Sequence, residues 1–171
     1  MGSGSSSSYS GTNGSSQEYA ETYKVVPKIL KKDKEDPNVY DPKTGYFKNP
    51  TATDLLEAIK NNSFYIGGIK AGGELTYVLD EDGNIIFGKR INPNDGSKKA
   101  PHPTLIGGKN PEVQCAGIIE FRDGKIFSVD NNSGHFKPDK KSLDKVKAIL
   151  DKLYESNYRL FYKTSEWRKR K

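Results

Sequence analysis

The chain has 171 residues, of which 1–16 are mostly Gly and Ser; about 150 remain to fold, enough for one domain and too few for two, and 10 Tyr and 7 Phe give it core bulk although only 33% of residues are apolar. A single cysteine, Cys115, excludes an internal disulfide and a cysteine-built zinc site, two histidines lack metal-site spacing, and no run of about 18 apolar residues exists to cross a membrane. The net charge of +6 sits at one end: from Lys137 onward 12 basic residues stand against 5 acidic ones, a balance suited to phosphate or to an acidic partner.

Residues 1–16 read as a flexible linker or a cloning scar, residues 17–163 as a single α+β domain, and residues 164–171 as a basic tail. No charged-then-apolar stretch opens the chain, so a secretory signal peptide is not expected. Residues 17–50 read as an irregular wrap, in which 25–30 is at most a short edge strand because Pro27 cannot donate to a ladder. Residues 51–62 predict a short helix, with Thr51 as cap, Asp54 in the first turn, an apolar stripe of Leu55, Leu56 and Ile59, and Asn61 and Asn62 at its end. A strand follows at 63–66, running into Gly67-Gly68. Residues 75–79 and 84–87 then flank Asp82-Gly83, and 116–122 and 125–129 flank Asp123-Gly124, two hairpins with turns that accept positive φ.

Residues 142–154 predict an amphipathic helix with Leu143, Val146, Ile149, Leu150 and Leu153 on one face. Residues 158–163 predict a last strand. The expected fold is therefore α+β: a twisted antiparallel sheet of two or more hairpins, a short helix before it and an amphipathic helix after it.

The most informative stretch runs from Asn131 to Pro138. It holds His135 in a small-residue turn at a strand end, where a ring that titrates near neutrality reaches solvent. Metal-free RNA cleavage needs a base for the 2′-hydroxyl, an acid for the leaving oxygen and a cation for the charge on phosphorus. His135 and His102 can supply the first two and Lys137 the third, with Ser133 in the same turn. His102 lies between Pro101 and Pro103, so a packing role competes with the catalytic one. Lys137, Lys140, Lys141, Arg159 and Lys163 are the expected phosphate contacts.

Three other readings use the same residues differently. NAD-directed transfer or hydrolysis would draw on Tyr65, Tyr77 and Glu120, but the ordered motifs of that chemistry are missing. A thiolate–imidazolium pair of Cys115 and His135, oriented by Asp130 or Asn131, lacks any signature around the cysteine. In a non-enzymatic binding module the turn is structural, Asn132 and Ser133 bonding the backbone and Gly134 supplying unusual dihedrals. No glycine pair forms a Walker or Rossmann loop.

Pro101-His102-Pro103-Thr104-Leu105, Ala116-Gly117, Asp123-Gly124 and Ser133-Gly134-His135-Phe136-Lys137-Pro138 together resemble the core of some C-terminal domains of bacterial polymorphic toxins, over roughly residues 64–155. A similar core occurs in plant calmodulin-binding IQ-motif proteins; this chain has no IQ motif, which favours the toxin likeness. The resemblance implies an effector carried out of the producing cell in a larger secreted protein and acting in the target-cell cytoplasm. RNA cleavage is then the expected activity, with NAD-directed modification as the alternative. It implies a cognate immunity protein, which charge complementarity makes acidic. No cofactor, no membrane partner and a monomer are expected.

Overall fold

Alternation with a period of two builds the centre of the molecule. Leu75, Tyr77 and Leu79 of one strand and Cys115, Ile119 and Phe121 of its neighbour face one way into a large apolar core, while Val78 and Ala116 face the other way into a smaller one. The computed structural model describes residues 21–91, 96 and 99–169; the Gly/Ser-rich stretch 1–16 and the last two residues of the basic tail lie outside them. Its main sheet holds β1 (Thr53–Asp54), β2 (Gly73–Leu79), β3 (Ile85–Gly88), β4 (Cys115–Arg122) and β5 (Lys125–Val129), in the order β5-β4-β2-β3-β1 with every pair antiparallel. Both predicted hairpins form. Asp123 (φ 51°) and Gly124 (φ 76°) both take left-handed angles, the signature of the tight turn that matches strand twist. In the other, Asp80 Oδ1 accepts from the amides of Asp82 and Asn84.

The fold is α+β. Helix α2 (Lys140–Ser156) lays Val146 and Leu150 on the larger core, as its apolar stripe predicts. The smaller core is closed by the chain before the sheet, through Val25, Tyr40 and Tyr46, and by Leu105, Val113 and Phe136. Among the described residues no helix is long and apolar enough to cross a membrane.

Several local expectations are corrected. Residues 51–62 are not a helix: β1 is followed by a 3₁₀ turn, Leu56–Ala58, and by a two-residue strand, Ile59–Lys60, paired with Ser63–Phe64. Asp54 Oδ1 accepts from the amide of Leu56, and Asn61 (φ 51°) and Asn62 (φ 61°) are both left-handed, so the asparagines make a hairpin turn where a helix end was expected. The expected stripe splits: Leu55 is buried, Leu56 is 58% exposed. Pro27 opens helix α1 (Pro27–Lys34), where its missing N–H costs nothing, instead of an edge strand. Residues 158–163 give a 3₁₀ turn, Tyr158–Leu160, and one parallel bridge between Phe161 and Ile126 in place of a strand. Beyond it Glu166–Lys169 is helical, and Trp167 is fully buried against Phe161 with Nε1 donating to Asp151 at 2.9 Å.

Candidate functional site

The chain leaving β5 does not run into solvent; it folds back over β4. Asp130 Oδ1 accepts from the amides of Ile118 (2.8 Å) and Asn132 (2.9 Å), and the Asp130 carbonyl accepts from Tyr77 Oη at 2.6 Å. This close return requires a glycine beneath it: a β-carbon on Gly117 would stand 2.0 Å from the Asp130 carbonyl oxygen. The loop then turns, closed by the Lys137 amide on the Ser133 carbonyl at 2.8 Å. The left-handed residue of this turn is Lys137 (φ 45°), and Gly134 has no left-handed angle, contrary to the expectation.

That fold-back brings Ser133 onto His102, which sits in a 3₁₀ turn, His102–Leu105. His102 Nε2 lies 2.8 Å from the Gly117 carbonyl, and a carbonyl only accepts, so Nε2 carries the proton. Nδ1 therefore accepts from Ser133 Oγ at 3.1 Å, and the same Oγ accepts from the Phe136 amide at 3.3 Å. Burial pushes the His102 imidazolium down to about 4, outweighing the Gly117 hydrogen bond, and the neighbouring His135 and Arg90 push the same way. At neutral pH this ring is neutral and satisfied at both nitrogens.

His135 is held differently. Its Nε2 donates to Asp33 Oδ2 at 3.0 Å, and the same oxygen accepts from Tyr46 Oη at 2.6 Å. Burial and the Asp33 bond raise the Tyr46 phenol well above its ordinary value, so it stays a donor. Asp33 comes from α1 and Tyr46 from the short strand Gly45–Tyr46, both in the stretch read as an irregular wrap. The Val26 amide, donating to the His135 carbonyl at 2.8 Å, ties the two segments together.

Both histidines and Ser133 line one cleft of about 720 Å³, floored by Thr76 and Ile118, which are cross-strand partners on β2 and β4. Two cations, Arg90 and Lys99, and two carboxylates, Glu74 and Asp130, also line it. Asp130 is engaged in folding the loop, whereas Glu74 is solvent-accessible and, among the described residues, pairs with Arg90 at 3.7 Å. Lys137 is exposed and outside this lining, because the turn that buries Phe136 leaves the next residue on the solvent side; Arg90 and Lys99 hold the place expected for it. Among the described residues no three His, Cys, Asp or Glu side chains are grouped as a metal site needs.

Cys115 is not near His135. It is fully buried on the opposite face of β4, with Tyr77 Oη at 3.4 Å and Ser142 Oγ at 3.2 Å, which removes the thiolate–imidazolium pair. Tyr77 is likewise a core residue, and neither Tyr65 nor Glu120 lines the histidine cleft. Comparison with family models, curated proteins and solved structures returned no match. The sequence reading missed Asp33, Tyr46, Glu74, Arg90 and Lys99. For Asp33, flanked by lysines on a helix with no buried residue, no local signal existed.

Proposed function

We propose that this domain cleaves RNA by acid–base chemistry centred on His135, as the effector part of a toxin acting in a target cell. The observation that carries the reading is the carboxylate-backed His135 sharing a cleft with Arg90 and Lys99. Asp33 fixes the ring through Nε2, leaving Nδ1 for a ligand. In the proposed step Glu74 takes the 2′-hydroxyl proton, the 2′-oxygen attacks phosphorus, and His135 gives its Nδ1 proton to the departing 5′-oxygen. The products are a 2′,3′-cyclic phosphate and a free 5′-hydroxyl. Arg90 and Lys99 stabilise the charge gathering on the phosphoryl oxygens. His102, neutral and hydrogen-bonded twice, is a positioning residue that holds Ser133 and, through it, the loop bearing His135.

The experiment is incubation of the purified domain with RNA, DNA and NAD, followed by product analysis. RNA cleavage by the wild type and its loss, by at least a hundredfold, in a folded His135→Ala variant are expected. NAD loss with intact RNA overturns the reading. A second reading, a non-enzymatic binding module, is favoured by the internal satisfaction of both His102 nitrogens and of Ser133 Oγ. Absence of turnover of all three substrates selects it.

A further inference from the structure

At the far end of β4 lies a second cleft, of about 600 Å³, between the Asn61-Asn62 turn, the Asp123-Gly124 turn and the chain around Tyr158–Leu160. Its charge is one-sided. Lys125, Arg159, Lys163 and Arg168 line it against one carboxylate, Asp123, which is 3.6 Å from Lys70. No carboxylate among the described residues lies within ion-pair distance of the four lining cations. Lys125 is partly desolvated, its ammonium giving a hydrogen bond to the Asn62 carbonyl. That burial lowers its pKa, and Lys70 and Arg168 lower it further against the opposing pull of Asp123.

The cleft also has aromatic walls. Tyr158 and Tyr162 line it, with the Arg168 and Arg159 guanidinium carbons 5.0 and 5.6 Å from the Tyr158 ring centre. Cations and rings in one groove are what a single strand of nucleic acid requires, because its phosphates take the charge and its bases stack on any flat π surface. We propose that this cleft binds single-stranded RNA through its phosphates and a stacked base, anchoring the strand that the histidine cleft cuts; the inference rests on the functional reading above.

The two clefts are joined by β4. Ile118 floors the first and Arg122 closes the strand beside the second, four residues or about 13 Å further on. Glu74 and Glu120 are directly opposed cross-strand partners, and each is neutralised, by Arg90 at 3.7 Å and by Arg122 at 3.0 Å. The Arg122 guanidinium stacks on Phe127 at 3.3 Å, and Phe127 meets Tyr162 edge-on at 6.0 Å, so a chain of ring contacts leads to a residue that lines the second cleft.

The test is an Arg159→Glu, Lys163→Glu double variant, two exposed positions whose reversal spares the core. Binding of a fluorescent 2′-O-methyl 12-mer, which cannot be cleaved, is measured at two salt concentrations alongside turnover of an RNA dinucleotide. The expected result is a Kd raised at least tenfold, a logarithmic salt slope reduced by about 1.4 for two lost phosphate contacts, and unchanged dinucleotide turnover. An unchanged Kd and slope overturns the inference, and so does wild-type binding to an acidic protein but not to the 12-mer. The milder Lys163→Gln keeps the test valid if the double variant melts early; a Kd equal to wild type overturns the inference there too. Absent dinucleotide cleavage with charge-dependent binding would sink the functional reading and leave the anchoring cleft standing.

Discussion

His135 donates its Nε2 proton to Asp33 at 3.0 Å although 102 positions separate the two residues. The first helix is thereby part of the candidate site, and its contribution can be isolated. Both donors reach the same Asp33 oxygen, so Asp33→Asn can keep its amide oxygen toward Tyr46 and His135 while removing the charge. Turnover of RNA is expected to fall about 10- to 100-fold, part of the range typical for general acid–base groups, with 12-mer affinity unchanged. Steady-state kinetics and anisotropy on the one variant decide it; full activity would detach Asp33 from the chemistry.

Ser133 separates a nucleophile from a brace. Its Oγ–H is committed to His102 and its lone pair to the Phe136 amide, both in a buried setting. Ser133→Ala should therefore cost about 1–3 kcal/mol, the usual penalty for stranding buried polar partners, and leave RNA turnover within tenfold when the variant is assayed well below its melting temperature. Loss of a thousandfold or more in a folded variant would make Ser133 the nucleophile.

His102 gives the pH prediction. Its ordinary value is 6.5 and the folded value is about 4, so between those pH values the unfolded chain binds a proton that the folded one refuses. Stability from this group is fully present above about pH 6.5 and is lost as pH falls toward 4, by roughly 3 kcal/mol in all. Urea denaturation at pH 7.0 and 4.5 measures it. His102→Gln should flatten that part of the profile, and an equally steep fall in the variant would assign the dependence to other groups.

What could be read from the sequence was what short-range pattern encodes. Leu143, Val146 and Leu150 recur at helical spacing and Asp123-Gly124 sits between alternating strands, so α2 and the β4–β5 hairpin were legible. Asn61 and Asn62 were ambiguous, because asparagine serves a helix end and a left-handed turn equally well, and only the pairing of Ile59 with Phe64 resolves them. Pro27 likewise suits an edge strand or a helix start. The site was half legible. His135 and His102 stood out by chemistry, but Arg90, Glu74 and Asp33 join them only through sheet register and chain return, which no local window contains.

Gly117 tests whether chain return is what assembles the cleft. The atoms that a β-carbon there would meet are backbone, the Asp130 carbonyl oxygen at 2.0 Å and the Asn131 Cα at 2.9 Å, so no side chain can swing aside. Gly117→Ala must push the loop off β4, and three hydrogen bonds go with it: Tyr77 to the Asp130 carbonyl, the Ile118 amide to the Asp130 carboxylate, and the Asp130 amide to the Ile118 carbonyl. Destabilisation of about 3 kcal/mol or more is expected, with loss of RNA turnover even under conditions where the variant stays folded, since His135 rides on the displaced loop. Gly134 in the same loop is the control: nothing lies within 4 Å of its β-carbon position, and Gly134→Ala should stay within about 0.5 kcal/mol of wild type. Equal denaturation midpoints for the Gly117 and Gly134 variants would show that the loop does not depend on that close approach.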